Sequence, residues 1–166
     1  MAHSLIIQLS EKRLKKGEHI TIFDLCEDPV LQAHCDWAGA EGNFADCATE
    51  VSEQLRPVCF INRGRCTLQF KSNKTLRKRY IHALSSVLKE VSESLYGKRI
   101  GLEALRTHSE ITQAIDRVYD VSRYLFVYED ECGMTGCRTL SQLVLDRLNG
   151  VLPSKLYIGG VLDYHF

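Results

Sequence analysis

The pattern of hydrophobic and polar positions predicts strands in the first half of the chain. Residues Ser4 to Leu9 are a candidate first strand, because Leu5, Ile7 and Leu9 recur at the spacing of one strand face. Two further apolar runs, 58–61 and 66–70, are separated by Asn62-Arg63-Gly64-Arg65. Short apolar runs joined by a glycine-containing turn are typical of a β-hairpin, and we expect one here.

A long amphipathic helix is predicted from about Lys74 to Leu95. Its apolar residues recur at the spacing of one helix face: Leu76, Tyr80, Leu84, Val87, Leu88, Val91 and Leu95. Ser72 or Asn73 can cap its first turn, and Tyr96-Gly97 supplies the residue type that ends helices. The face, the cap and the stop agree, so the helix is predicted on three counts.

Three further helices are indicated by their first residues. Asp28-Pro29 predicts a short helix that runs to Trp37, because aspartate caps a helix and proline suits its first position. Thr107 to Glu110 and Thr139 to Gln142 both fit the capping-box pattern, in which a hydroxyl and a carboxylate or amide satisfy each other's backbone amides. The second of these helices should end at Asn149-Gly150.

Two segments stay ambiguous in the sequence. The apolar run from His19 to Leu25 fits a strand, although its last residues also fit the start of a helical turn. The segment from Asn43 to Gln54 shows no decisive periodicity. We therefore assign no single element to either segment.

The strand predicted at 123–128 is apolar on both faces, which places it inside the sheet. A last strand is predicted at 155–158. The order of strands and helices favours a single α+β domain with a mixed or antiparallel sheet, the long helix and two or three others. One alternative stays open, in which strand 123–128, helix 139–148 and strand 155–158 form a right-handed βαβ unit.

The composition is that of one globular domain. The chain has 166 residues and equal numbers of basic and acidic residues, 21 each. No overall field therefore attracts nucleic acid or an anionic membrane. No secretory leader and no apolar stretch of roughly 20 residues is found, so we expect a cytoplasmic protein without membrane association. Its seven cysteines should then be reduced thiols.

A candidate ligand loop follows the strand at 123–128. Its polar residues are Glu129, Asp130, Glu131, Cys132, Cys137 and Arg138. Clustered carboxylates suit hard cations, and two glycines before a helix start, together with an arginine, suit an anion. The segment matches neither the Walker loop nor the GxGxxG fingerprint, two glycine-rich motifs that bind phosphate groups. A solvated acidic turn is the simpler interpretation, and we assign no metal and no cofactor.

Cysteine chemistry offers two more alternatives. Cys132 and Cys137 can form half of a zinc site if His34-Cys35 completes the ligand set. A thiol can also act as a nucleophile beside His34, His82 or His108. No second paired motif supports the zinc site, and no local signature selects a nucleophile.

A basic segment is the second candidate site. Its residues lie in the hairpin turn and in the first turns of the long helix: Arg63, Arg65, Lys74, Arg77, Lys78, Tyr80 and His82. Cations at the start of a helix oppose its dipole, so they suggest a role other than stability. If the turn packs beside the helix start, these cations share one end of the molecule. The simpler interpretation is a solvated helix face.

These patterns favour a non-enzymatic interaction protein, a regulator or inhibitor that binds an anionic macromolecule. The partner would be a protein or a protein–nucleic acid complex. One alternative is a protein that binds RNA or DNA directly through 63–82, or cleaves it. A second alternative is a small enzyme or zinc-binding domain that uses 129–139. Whether the protein is an enzyme stays open, because the fold alone does not determine function.

Overall fold

The structure is a computed structural model, which describes residues 3–25, 29–34, 37–95, 124–129 and 135–165. The described strands are β1 (His3–Ser10), β2 (Trp37–Gly42), β3 (Cys59–Asn62), β4 (Thr67–Phe70), β5 (Leu125–Glu129), β6 (Thr135–Thr139) and β7 (Lys155–His165). The described α-helices are α1 (Pro29–His34), α2 (Phe44–Leu55), α3 (Asn73–Leu95) and α4 (Leu140–Leu148). Short 3-10 helices occupy Lys16–Glu18, Ile22–Leu25 and Arg63–Arg65.

The seven described strands form one mixed sheet, in which six follow the order β3-β4-β7-β1-β5-β6 and β2 pairs with β7. Among the described strand pairs, β1 and β5 are parallel and the others are antiparallel. The long strand β7 pairs with β1 along one edge, and its other edge is shared by β4 near Tyr157 and by β2 from Val161 onward. The predicted α+β fold with a mixed sheet and a long helix is confirmed.

Each face of the sheet carries its own apolar cluster. Phe126, Tyr124 and Tyr128 pack on one face with side chains from α2, α4 and the first turn of α3. Leu125 and Val127 pack on the other face with residues from the 3-10 segments and α1. All five are at most 6% exposed, because β5 lies between β1 and β6. The prediction of an interior strand that is apolar on both faces is confirmed.

The helix starts follow their sequence signals. The Thr139 hydroxyl accepts from the Gln142 amide at 3.3 Å, and the Gln142 side chain accepts from the Thr139 amide at 2.9 Å. This is the predicted capping box of α4. Ser72 caps α3, because its hydroxyl accepts from the Thr75 amide at 3.3 Å. Asn43 caps α2, the helix that the sequence left unassigned.

The described side chains of the long helix contact the core mainly in its first turns. Leu76 is fully buried, and Tyr80 is partly buried against the first cluster. Leu88, which the sequence assigns to the buried stripe, is 45% exposed, and Ile81 is 55% exposed. The stripe therefore predicts the contact of α3 with the core in its first two turns but is wrong at Leu88.

Three local predictions are wrong. The helix expected to reach Trp37 ends at His34, and β2 follows it. The βαβ unit is absent from the described residues: β6 pairs with β5 as an antiparallel neighbour, and β1 separates β5 from β7. Since β5 is parallel to β1 and β1 is antiparallel to β7, β5 runs opposite to β7. The last strand also extends to His165, well beyond residue 158.

Three sequence signals for helices fall outside the described residues. They are the cap at Asp28, the helix start at Thr107 and the helix stop at Tyr96-Gly97. The ambiguous run that ends at Leu25 takes its helical alternative, a 3-10 turn over Ile22–Leu25.

Candidate functional site

The candidate ligand loop is only partly described. Glu129 ends β5, while Asp130, Glu131 and Cys132 lie outside the described residues. Cys137 and Arg138 belong to β6, so the conformation expected there, a loop leading directly into a helix, is wrong. The strand forms because residues 135–139 pair along the whole of β5. A ligand role for these six residues stays a prediction.

Cys137 and Arg138 have structural surroundings. Cys137 is 4% exposed and packs in the second apolar cluster. The Arg138 Nε donates to Asp146 Oδ2 at 2.9 Å, and Nη1 donates to the Gly136 carbonyl at 3.1 Å. Both contacts lie within the fold, so Arg138 joins β6 to α4. Its guanidinium is therefore already engaged and is a weaker candidate for an anion than the sequence suggested.

Two thiols of the first cluster, those of Cys47 and Cys59, are poor nucleophiles. Burial raises the pKa of the Cys59 thiol to about 12, and the nearby Lys71 ammonium offsets only part of this. Burial also raises the pKa of Cys47, and the neighbouring carboxylates of Glu50 and Asp46 add to the effect. A thiolate is the reactive species, so both residues stay protonated and inert near neutral pH.

The predicted basic residues divide into two groups. Arg63 and Arg65 form the exposed 3-10 turn between β3 and β4, and Asn62 Oδ1 fixes this turn by accepting from the Arg65 amide at 3.0 Å. Lys74 and the adjacent cations Arg77 and Lys78 are exposed on the first turns of α3. The turn precedes β4 and the helix start follows it, so the length of the four-residue strand β4, roughly 14 Å at about 3.4 Å per residue, separates them.

This separation corrects one expectation and leaves the proposed role untested. The hairpin turn and the helix start lie at opposite ends of β4 and do not share one end of the molecule. Tyr80 is partly buried against the core, whereas His82 is exposed. Whether these seven residues bind a partner stays a prediction.

An exposed aromatic side chain lies between the two groups of cations. Phe60 on β3 is 61% exposed and pairs across the hairpin with Gln69, which is also exposed. The Lys71 ammonium lies 5.2 Å from the centroid of the Phe60 ring, a cation–π contact. The solvent face of the hairpin therefore carries an aromatic ring with a cation over it, and further cations lie at the two ends of β4.

The cations of the two groups are free of ion pairs with described carboxylates. The ion pairs found in the described ranges join Arg138 to Asp146 and His165 to Asp163. Arg63 donates instead to the Thr49 hydroxyl at 3.0 Å. The charge at both ends of β4 is therefore not neutralised by a described acidic side chain.

A cleft that the sequence did not predict opens beside β7. On the edge of β7 that β4 and β2 share, Gly159 and Gly160 lie between these two neighbours. On the other edge the same two glycines oppose the single residue Gln8, because Ile7 pairs with Val161 and Leu9 with Ile158. Two residues opposite one form a β-bulge, a feature common near functional sites.

The side chain of Gln8 holds the loop that follows β1, which contains Glu18 and Ile20, against this bulge. Its Oε1 accepts from the amides of Gly160 at 2.9 Å and Ile20 at 3.1 Å, and its Nε2 donates to the Glu18 carbonyl at 3.2 Å. A Cβ on Gly159 would lie 2.7 Å from Gln8 Oε1 and 2.8 Å from Leu14 Cδ1. Glycine therefore lets the loop approach the strand.

The resulting cleft has a volume of about 710 Å³ and a cationic lining. Arg13, Lys16, His19 and Arg65 contribute basic side chains, and no Asp or Glu is found among its described lining residues. Of this group only Arg65 belongs to the predicted site. The Gly-Gly pair inside a strand was the available signal, since such glycines mark bulges and close backbone approaches.

The described residues limit two other classes of site. No three His, Cys, Asp or Glu side chains in the described ranges come together as a metal site would require. None of the described helices is both long and apolar enough to cross a bilayer.

Comparison with known proteins gives no relative: no family model, curated protein or solved structure matches the chain.

Proposed function

We propose that this protein is a non-enzymatic interaction protein, a regulator or inhibitor, that binds an anionic macromolecule across the β3–β4 hairpin. The observation that carries the proposal is the exposed Phe60 flanked by cations at both ends of β4. Aromatic residues and arginine are enriched at binding surfaces, and this face carries Phe60 together with arginines and lysines that have no described carboxylate partner. The partner is an acidic protein face or a protein–nucleic acid complex.

Charge supports this partner class. Lys74, Arg77 and Lys78 at the start of α3 oppose the helix dipole and repel one another, so they should cost stability rather than add it. An anionic partner would remove that repulsion. Since the whole chain carries no net charge, the attraction would be local to this face.

Direct binding of single-stranded nucleic acid is the second candidate function. The exposed Phe60 ring favours it, because bases stack on aromatic side chains while cations contact the backbone. Binding of this kind should weaken steeply with salt, by a slope of about 0.7 in log affinity against log salt for each phosphate contact.

The test compares two charge reversals with a matched control. One variant carries Arg63→Glu and Arg65→Glu, and the other carries Arg77→Glu and Lys78→Glu. The control carries Lys12→Glu and Arg56→Glu, two exposed cations that belong neither to the hairpin nor to α3. Binding to a polyglutamate peptide and to single-stranded RNA is measured by fluorescence anisotropy at low and moderate salt.

We expect both face variants to weaken binding at least tenfold and the control to weaken it much less, with folding intact in all three. Preference for the peptide supports the interaction protein, and preference for RNA with a salt-dependent affinity supports the second candidate. Failure of the wild type to bind either probe at low salt, or equal losses in the control, would contradict both.

A further inference from the structure

We propose that the cleft beside β7 binds a small organic phosphate, such as a nucleoside monophosphate, with its phosphate among the basic side chains. This inference concerns a different surface from the hairpin and stands without the proposed function, since the two share only Arg65. The cleft is lined by Arg13, Lys16, His19 and Arg65. Three permanent cations and no described carboxylate in the lining favour an anion over a neutral or cationic ligand.

The nearest carboxylate in the loop is already engaged. Glu18 lies two residues from Lys16, but its Oε2 accepts from the Lys15 amide at 2.6 Å and caps the 3-10 turn. It does not line the cleft. The positive charge of Arg13 and Lys16 is therefore available on the cleft side of the loop.

The start of α2 forms part of the opposite wall. Asn43 and Phe44 line the cleft, and Asn43 is the N-cap of this 12-residue helix. The N-terminus of a helix carries a partial positive charge, so it adds to the field of Arg13, Lys16 and Arg65. Asp46 also lies in the first turn and reduces this field, but it is exposed and lies outside the cleft lining. The basic side chains remain the main attraction.

The size and the apolar part of the lining indicate an organic phosphate rather than a bare anion. A volume of about 710 Å³ lies within the range of about 300–1,000 Å³ typical of small-molecule sites. Leu14, Ile20, Ile158 and Tyr157 supply apolar surface beside the cations. A phosphate ion would leave this surface in water, whereas a ring attached to the phosphate would cover it.

The cleft is also preorganised. Gln8 ties the loop to the bulge through three hydrogen bonds, and the loop carries Arg13, Lys16 and His19. Cys66, which lines the cleft next to the β3–β4 turn, is held in the left-handed backbone region at φ 47°. A lining fixed in this way loses less conformational entropy when a ligand binds.

Calorimetric titration with adenosine monophosphate and adenosine tests the proposal, because the two probes differ only in the phosphate. We expect the monophosphate to bind at least about tenfold more tightly, the effect of one charge-assisted hydrogen bond. Equal affinities, or no binding of the monophosphate at millimolar concentration, would overturn the proposal. Inorganic phosphate should compete more weakly than the monophosphate, and equal competition would overturn an organic ligand.

The location is tested with Arg13→Gln combined with Lys16→Gln, both on the exposed loop. This variant should lose at least about tenfold in affinity for the monophosphate. Lys12→Gln combined with Arg56→Gln removes the same charge outside the cleft and should change affinity less than about twofold. An unchanged affinity in the first variant would place the ligand elsewhere and contradict the proposal.

One further arm identifies the source of the phosphate. A 5′-phosphorylated oligonucleotide and its unphosphorylated counterpart are titrated into wild type and into the Arg13→Gln, Lys16→Gln variant. Tighter binding of the phosphorylated strand that needs both cations assigns the cleft to a nucleic-acid terminus. Tighter binding of the free nucleotide assigns it to a free metabolite. Thermal unfolding of each variant checks that the fold is retained.

Discussion

β5 and the bulged centre of β7 lie in the same sheet but are held by different forces. β5 is enclosed by apolar side chains on both faces, with Phe126 at 0% exposure. The bulge at Gly159-Gly160 is instead fastened by the amide of Gln8. Apolar packing fills space, because contacts are lost wherever a void is left. The hydrogen bonds of a polar side chain such as Gln8 fix the backbone groups that they join, but they do not fill the space beside those groups.

This difference explains why the cleft lies beside β7 and not beside β5. A strand covered on both edges and both faces has no surface on which a ligand can lie. The edge of β7 passes from β4 to β2, and two glycines occupy the interval. Where strand pairing is interrupted between β4 and β2, β7 loses contacts with a neighbouring strand. The hydrogen bonds of Gln8 partly replace those contacts. The stability of the fold and its candidate binding site are thus assigned to separate regions.

The largest expected effect is on the apolar side of this comparison. Phe126→Ala should lower the free energy of unfolding by about 3–5 kcal/mol, because it removes a fully buried aromatic ring. Phe60→Ala is the matched control: its ring is exposed on the hairpin, so its loss should cost less than about 1 kcal/mol. Urea denaturation measures both. Similar losses in the two variants would show that β5 is not the centre of the core.

The next effect is on the polar side. Gln8→Leu removes the acceptor for the amides of Ile20 and Gly160 and should cost about 1–3 kcal/mol. Gln69→Leu is the control, since Gln69 is exposed and donates one hydrogen bond to the Ser154 carbonyl at 3.0 Å. It should cost about 1 kcal/mol or less. Hydrogen exchange should also be faster at Ile20 and Gly160 in Gln8→Leu; unchanged exchange there would contradict the bridging role.

The apolar region was predictable from the sequence because its signals are local. Alternating side chains identified the two faces of β5, and Thr139 with Gln142 identified the start of α4 within four residues. The hairpin at 59–70 follows from one turn. Each of these depends on neighbours in the chain, so each can be read without the fold.

The cleft was not predictable because its parts are distant in the chain. Gln8, the loop that contains Lys16, the turn at Arg65 and Gly159-Gly160 meet only when β7 pairs with β1, β4 and β2. β2 was missed for a related reason. Its sequence, Trp-Ala-Gly-Ala-Glu-Gly, lacks β-branched residues, and it becomes a strand because β7 offers it an edge.

Arg138 connects the two kinds of region, since a polar side chain here supports the apolar strand β5. Arg138→Met should lower the free energy of unfolding by about 1–2 kcal/mol, because it breaks the partly exposed pair with Asp146 and the bonds to backbone carbonyls. Arg56→Met, which alters an exposed arginine, should change it by less than about 0.5 kcal/mol. Equal stability of the two variants would show that Arg138 does not stabilise the fold through these contacts.

The smallest effect concerns Tyr124, which brings a titratable group into the apolar region. Burial raises the pKa of the Tyr124 phenol above its usual 10.0, and the carboxylate of Glu50, 3.2 Å away, raises it further. The folded state therefore keeps this proton after the unfolded chain has released it. Stability from this group is fully present below about pH 10 and falls as the pH rises further, by at most about 1.4 kcal/mol per pH unit.

Tyr124→Phe isolates this contribution. At pH 7 the variant should be less stable by about 0.5–1.5 kcal/mol, because it loses the hydrogen bond to Glu50. Between pH 9 and pH 11 its stability should fall less than that of the wild type, so the two curves converge. Cys59, whose pKa is raised from 9.0 to about 12, destabilises both proteins equally in this window and cancels in the comparison. Parallel curves in urea denaturation across this pH range would show that the Tyr124 phenol ionises as readily in the folded state as in the unfolded chain. The surroundings of the Tyr124 phenol would then be more hydrated than the burial of β5 implies.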